Sequence, residues 1–165
     1  LPSLDGLVSC KQIQLPSNPI ESIPSMGALR SLELLDVSNC RLSSFPDDIA
    51  ELPALTAISA QGNQFAVFPE ALCSCPALEI LNMSSNRLAS VPEALGRSPR
   101  IRVLLFSKNR ISTLPDELLS IRTLERFDIS NNPIDPLKSD NRSVVRALRS
   151  VCTDKGGFLR APQGL

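Results

Sequence analysis

Few residues of this 165-residue chain have the types and spacing that catalysis or metal binding requires. The chain has no histidine, and we find no nucleophile elbow, glycine-rich phosphate loop or paired carboxylates beyond ordinary surface positions. Cys73 and Cys75 form a C-x-C pair, but no second pair accompanies them. We therefore predict a protein that is not an enzyme and that needs no metal and no cofactor.

The cysteines bear on the cellular compartment. They are Cys10, Cys40, Cys73, Cys75 and Cys152. Several stand where an apolar residue is expected, and free cysteine behaves there as a small hydrophobic residue. Reduced, structural thiols predict an intracellular, cytoplasmic protein. Asn82-Met-Ser84 and Asn141-Arg-Ser143 fit the glycosylation sequon, although such short motifs often arise by chance.

The charge balance excludes two classes of partner. Lysine plus arginine and aspartate plus glutamate number 17 each, which gives a net charge of zero. Binding to nucleic acid or to an anionic membrane surface needs a basic surplus, so neither is expected. No apolar run approaches the roughly 20 residues that span a bilayer, and membrane insertion is not expected either.

Two residue types recur along the chain with nearly one period. The asparagine positions are Asn18, Cys40 (a replacement), Asn63, Asn86, Asn109 and Asn132. The prolines are Pro2, Pro24, Pro46, Pro69, Pro92 and Pro115. Both series advance by 22 or 23 residues at each step. Such self-similarity is the mark of a repeat architecture.

The stretch 78–95, LEILNMSSNRLASVPEAL, displays the repeat unit L-x-x-L-x-L-x-x-N-x-L-x-x-L-P-x-x-L. This unit resembles the leucine-rich repeat family, in the 23-residue class of intracellular Ras-group and Scribble-type proteins. The resemblance implies an α/β fold: a right-handed solenoid in a horseshoe arc. A parallel β-sheet would line its concave face, and short helical or 3-10 turns would form its convex face.

The period divides the chain into three segments. Residues 1–137 hold one partial and six further repeats, and 138–152 has the apolar face of a C-terminal capping helix. Asp140 or Asn141 is a candidate N-cap of this helix. Residues 153–165 are interpreted as a tail or linker. Because the chain opens in the middle of a repeat, we expect it to be part of a longer protein.

Each position of the unit has a structural role. The asparagines are expected to form a ladder that satisfies buried backbone groups, and Cys40 weakens one rung because its thiol is a poor donor. Each proline fixes φ and starts a convex turn. The acidic residues that follow it, Glu70, Glu93 and Asp116-Glu117, complement the dipole of that turn.

The outward strand positions hold the candidate binding surface. One column reads Gln12, Leu34, Ala57, Ile80, Val103, Arg126, and its neighbour reads Gln14, Asp36, Ser59, Asn82, Leu105, Asp128. Four consecutive apolar residues in the first column, with Leu105 beside them, predict an exposed stripe roughly 14 Å long. Such a stripe marks a partner surface, although β-propensity alone also explains it.

A basic rim is expected beside this stripe. It consists of Arg87, Lys108 and Arg110, next to the asparagine column. We predict a scaffold or adaptor, monomeric as given, that binds a protein or peptide on its concave face. Two alternatives stay open: the recognition or regulatory arm of a larger kinase or ubiquitin ligase, and a secreted or effector-type adhesion protein.

Overall fold

The computed structural model describes residues 1–135, 139–154 and 156–162. Within these ranges short strands alternate with 3-10 helices, and an α-helix follows the sixth strand. The strands are β1 (Gln12–Gln14), β2 (Leu34–Asp36), β3 (Ala57–Ser59), β4 (Ile80–Asn82), β5 (Val103–Leu105), β6 (Arg126–Asp128) and β7 (Phe158–Arg160). The 3-10 helices are Asp47–Glu51, Glu70–Ser74, Glu93–Arg97 and Asp116–Ser120, and α1 is Ser139–Asp154.

The seven strands form one parallel sheet in chain order. Equivalent residues of successive repeats pair directly, as Leu35 does with Ile58 and Ile58 with Leu81. These central residues are buried, because strand side chains alternate between two faces and only one face meets the core. The predicted leucine-rich repeat solenoid is confirmed. Its first edge is β1, which exposes Gln12 and Gln14.

The asparagine column forms the expected ladder, and Asn109 shows its pattern. Its Nδ2 donates to the carbonyl oxygens of Phe106 (2.9 Å) and of Met83 in the preceding repeat (3.0 Å). Its Oδ1 accepts from the backbone N–H of Leu88 at 3.0 Å. Asn63, Asn86 and Asn132 repeat these contacts. Each rung therefore satisfies backbone groups that water cannot reach.

Cys40 weakens its rung as predicted. Its sulfur lies 3.3 Å from the carbonyl oxygen of Leu15, and 3.7 Å from that of Ser38. A thiol is a weak donor, so these contacts replace the strong amide bonds of the other rungs only in part.

A proline precedes each convex 3-10 helix. Pro46, with φ −67° and ψ 145°, occupies the extended cap position before Asp47–Glu51. The same arrangement recurs at Pro69, Pro92 and Pro115. Each helix begins with an acidic residue and buries one aliphatic side chain, such as Leu72, in the core. The predicted convex turns are confirmed, except that the first repeat has no 3-10 helix among its described residues.

The C-terminal helix covers the end of the repeat core. Val144, Val145 and Leu148 are fully buried, as the apolar periodicity predicted. Asn141 is not the N-cap, because it lies inside α1 and is only 1% exposed. Its Oδ1 accepts from the N–H of Leu114 at 3.1 Å, and its Nδ2 donates to the Ser112 and Asp135 carbonyls. Asn141 thus continues the backbone-satisfying role of the asparagine ladder from within the capping helix.

The interpretation of 153–165 as a tail is wrong for part of the segment. Phe158–Arg160 forms β7 and pairs with β6, so that Leu159 lies beside Phe127. The N–H of Phe158 donates to the carbonyl oxygen of Glu125 at 3.1 Å. Leu159 is half-buried against the core, which explains why this segment folds back onto the sheet. The sheet face is therefore one strand wider than the sequence predicted.

Candidate functional site

The parallel register places the predicted site residues in two columns on the open, concave face. Leu34, Ala57, Ile80 and Val103 follow one another on β2 to β5. Ile80 is 44% exposed, whereas the other three are half-buried by their neighbours. Leu105 stands in the second column, beside Asn82. The apolar stripe therefore lines the concave face as predicted and is not absorbed into the core.

A shallow depression of about 330 Å³ opens over the apolar stripe. It is lined by Gln14, Leu34, Leu35, Asp36, Ala57, Ile58, Ser59, Ile80, Asn82 and Leu105. Ala57 has the smallest side chain of the stripe and lies between Leu34 and Ile80, so a gap is left there. Because the depression is shallow and open, it suits one or two apolar side chains of a partner better than a small molecule that must be enclosed.

The polar residues of the second column support the turns at the strand ends. The Oδ1 atom of Asp36 accepts from the N–H of Ser38, and that of Asp128 from the N–H of Ser130, at 2.9 and 3.0 Å. Asn82 does the same for Ser84 at 3.1 Å. These side chains turn the chain after the strand, and one oxygen of each is already engaged. The repeated spacing of an acid or amide two residues before serine could have revealed this role.

The predicted rim residues are exposed. Arg87 and Arg110 follow the ladder asparagines, and Lys108 precedes one with a left-handed φ of 56°. Within the described ranges none of the three forms an ion pair, whereas Arg41 of the same column lies 3.8 Å from Glu21. The rim cations next to the C-terminal half of the stripe are therefore available to a partner.

Two residues of this face were missed by the sequence interpretation. Phe158 and Arg160, on β7, extend the first and second columns by one position. The guanidinium carbon of Arg126 lies 4.4 Å from the ring centre of Phe158, and that of Arg160 lies 5.3 Å from it. The sequence Phe158-Leu159-Arg160 has no apolar–polar alternation and falls outside the 23-residue period, so it carried no clear strand signal.

The C-x-C pair is unsuited to redox or metal chemistry. Cys75 is buried and Cys73 half-buried, and burial raises their pKa values to about 11 and about 12. Glu70 raises the pKa of Cys73 further. Both thiols are therefore protonated at neutral pH and are poor nucleophiles. In the described part of the chain no cluster of histidine, cysteine, aspartate or glutamate fits a metal ion.

None of the helices within the described ranges has the length and apolar character needed to cross a membrane.

Comparison with known proteins agrees with this fold and repeat pattern. The family model for the Leucine Rich Repeat matches residues 31–52 and 77–98. These two matches contain repeat units that the period also identifies, and the sheet and turns have the corresponding geometry. The chain has the leucine-rich repeat fold, and these two segments match the family's repeat model. A search of curated proteins gave no significant match.

Solved leucine-rich repeat structures are similar over most of the chain. One is a leucine-rich repeat protein of Leptospira interrogans, with 25% identity and a TM-score of 0.77, covering 83% of this chain and 35% of that one. Another is the ectodomain of the membrane receptor kinase GASSHO1/SCHENGEN3 from Arabidopsis thaliana, solved with CASPARIAN STRIP INTEGRITY FACTOR 2. Its identity is 27% and its TM-score 0.70, covering 78% of this chain and 16% of the receptor. An internalin from Listeria monocytogenes, at 17% identity and a TM-score of 0.66, covers 96% of this chain and 48% of its own.

The present chain therefore spans less than half the length of each of these structures.

Proposed function

We propose that this chain is a protein-interaction module that binds an extended segment of a protein partner on its concave face. The observation that carries the proposal is the apolar stripe, in which Ile80 stays 44% exposed between half-buried neighbours on β2 to β5. A contiguous apolar surface rimmed by polar groups is typical of a partner surface. The repeats leave this face uncovered, whereas Leu35, Leu81 and Leu104 on the opposite face of the strands are buried.

The similar receptor ectodomain supports a macromolecular occupant, since it was solved in complex with CASPARIAN STRIP INTEGRITY FACTOR 2. We propose that the present chain contributes recognition and not catalysis, either as a scaffold or as the recognition arm of a larger protein. The thiols of Cys73 and Cys75 are inert at neutral pH, which agrees with this role.

We propose a cytoplasmic location, in the class of intracellular repeat proteins. It is supported by the asparagines of the two glycosylation sequons, because the Nδ2 atoms of both are engaged in hydrogen bonds within the protein. Asn141 is 1% exposed and its Nδ2, the atom that would carry a glycan, donates two hydrogen bonds inside the protein. The Nδ2 of Asn82 donates to Gln61 at 3.1 Å on the concave face. A glycan at either site would disrupt the cap or fill the depression. All five cysteines are free, which agrees with a reducing compartment. Detection of an N-linked glycan on the native protein would contradict this location.

The binding proposal is tested by placing charge in the stripe. We expect the double variant I80D/V103D to fold and to lose at least about tenfold in affinity for partners captured with the wild-type chain. The matched control is V67D, because Val67 is also apolar and is 78% exposed, but lies outside the sheet. Circular dichroism and thermal melting establish folding, and isothermal titration with the purified partner measures affinity. Equal affinity of the folded double variant and the wild type would contradict the proposal.

A further inference from the structure

Two arginines share one aromatic ring at the C-terminal end of the concave face. Arg126 on β6 is the direct register partner of Phe158 on β7, and its guanidinium carbon lies 4.4 Å from the ring centre. Arg160 leaves β7 on the same side and reaches within 5.3 Å of that centre. Both arginines are exposed, whereas Phe158 is half-buried. The ring thus holds two planar cations together at the surface.

The carboxylates near this pair are engaged elsewhere. Glu125, which precedes Arg126, receives hydrogen bonds from both Nε and Nη2 of Arg102, at 2.9 and 3.1 Å. Asp128 is the register partner of Arg160, but its Oδ1 accepts from the N–H and the hydroxyl of Ser130. Within the described ranges neither Arg126 nor Arg160 forms an ion pair. This end of the face is electropositive, because the guanidinium groups of Arg126 and Arg160 are balanced only by the carboxylate of Asp128, which already accepts hydrogen bonds from Ser130.

The opposite end of the face has no such pair of cations among its outward strand residues. Asp36 lies on β2 at the N-terminal side of the depression, and the outward residues of β1 are the uncharged Gln12 and Gln14. The concave face therefore runs from a weakly acidic end, over an apolar middle, to a basic end. A partner segment that fits all three must be apolar where it meets Ile80 and acidic where it meets Arg126.

We propose that Arg126, Phe158 and Arg160 form a carboxylate seat for an acidic residue of the bound segment. This inference rests on the proposed function and adds the chemistry of the partner. Guanidinium groups match the planar geometry of a carboxylate and pair with it through two hydrogen bonds. Phe158 pre-organises the two arginines, so less side-chain freedom is lost when the carboxylate binds.

The strand spacing fixes the pattern of the partner. Two strand spacings of roughly 4.8 Å separate Ile80 on β4 from Arg126 on β6. An extended chain that crosses the strands covers about 3.3 Å per residue, so the two contacting residues lie about three positions apart. The occupant is therefore an extended peptide with an apolar residue and, about three positions away, a glutamate or aspartate.

The experiment uses a library of random dodecamer peptides displayed on phage and selected on the whole chain. Peptides whose binding is lost in I80D/V103D are those that occupy the concave face. We expect these peptides to be enriched in an apolar residue followed or preceded, at three or four positions, by an acidic one. Replacing that acid by its amide in the synthetic peptide is expected to weaken binding about tenfold.

Variants of the seat identify the residues that meet the acid. The variant R126Q/R160Q is expected to bind the same peptides about tenfold more weakly. It should also bind the acid and amide forms of each peptide with equal affinity. The matched control is R97Q/R122Q, because Arg97 ends a convex 3-10 helix and Arg122 precedes β6, and both are exposed. Thermal melting checks that all variants fold.

The possible outcomes separate the two proposals. Concave-face peptides without acidic residues, with affinities unchanged in R126Q/R160Q, overturn the carboxylate seat and leave the binding function standing. A selection that yields no peptide sensitive to I80D/V103D contradicts both. Acidic peptides whose affinity responds to R126Q/R160Q but not to R97Q/R122Q support both.

Discussion

At the scale of single residues, one carboxylate joins the first repeat to the second. Among the residues that the structure describes, the first repeat has no convex 3-10 helix, and Asp48 of the second repeat binds the turn found there. The Oδ2 atom of Asp48 accepts from the N–H groups of Met26 and Gly27, both at 2.9 Å, and from the hydroxyl of Ser25. Burial alone would raise the pKa of this carboxyl group, but the hydrogen bonds from Ser25, Gly27 and Met26 lower it overall. The ionised form therefore stabilises the fold.

The lowered pKa predicts how stability depends on pH. A carboxyl group whose pKa is lower in the folded state stabilises the protein above its unfolded pKa, here ordinarily 3.8. That contribution is lost as the pH falls through the still lower folded pKa. We expect D48N to be less stable than the wild type by about 1 kcal/mol at pH 7, as for loss of a helix cap, and the difference to shrink below about pH 4. Urea unfolding at several pH values measures it.

The control for this prediction is D47N, because Asp47 is the exposed neighbour of Asp48 and makes none of its bonds to the turn. A D48N difference that is the same at pH 7 and at pH 3 would mean that the amide loses packing and not charge.

At the scale of elements, β7 is held against the sheet by an approach that only glycine allows. Gly157 precedes β7, and a Cβ atom there would lie 1.7 Å from the carbonyl oxygen of Glu125. The N–H of the next residue, Phe158, donates to that same oxygen. The side chain of any other residue would therefore push β7 away from β6, together with the ring of Phe158.

We expect G157A to destabilise the protein by about 2 kcal/mol, because the clash is with backbone and cannot be relieved by a rotamer change. The variant should also bind the acidic peptides more weakly, because the carboxylate seat is displaced with β7. The control is G6A, because a Cβ on Gly6 meets nothing within 4 Å. Chemical denaturation measures the first effect and peptide titration the second. Wild-type stability and peptide affinity in G157A would show that β7 is not needed in this position.

The elements that the sequence predicts are those that obey the period. Leu81 and Asn86 could be placed because equivalent residues lie 23 positions away on either side, and stacking forces every repeat into the same register. The role of Asp48 could not be predicted, because the equivalent positions hold Ala71, Ala94 and Glu117, and its hydrogen bonds are to a turn of the first repeat that has no 3-10 helix among the described residues. Strand β7 was missed because α1 stands where a convex 3-10 helix would follow β6, and its greater length interrupts the 23-residue period.

The concave site was predictable in part. The outward column that contains Ile80 follows directly from strand alternation. The neighbourhood of Arg126 did not follow, because its aromatic partner belongs to a strand 32 residues away, outside the period. The engagement of Asp36 and Asp128 by serines was missed, although the acid-x-Ser spacing indicates it, and it makes these acids less available to a partner than isolated surface carboxylates.

At the scale of the whole molecule, each repeat contacts only its neighbours, so an identical change has different effects at the centre and at the end. Asn109 is a central rung whose amide bridges two repeats and is 8% exposed. Asn18 is the first rung: it is exposed, and in the described part of the chain its side chain donates only to the Leu15 and Pro16 carbonyls of its own repeat. Removing the side chain of Asn109 leaves buried backbone groups of both repeats unpaired. Where the side chain of Asn18 is removed, water can take over its hydrogen bonds.

We expect N109A to lower the free energy of unfolding by about 3 kcal/mol and N18A by about 1 kcal/mol or less. Hydrogen exchange separates the two effects by location. In N109A the protection of amides in β3 to β6 should fall together, because the central interface limits both halves of the stack. In N18A the loss should stay within β1 and its turn. Equal losses in urea unfolding, or a purely local effect of N109A on exchange, would show that the repeats do not act as one cooperative stack. The concave face would then lack the rigidity that a preformed binding surface requires.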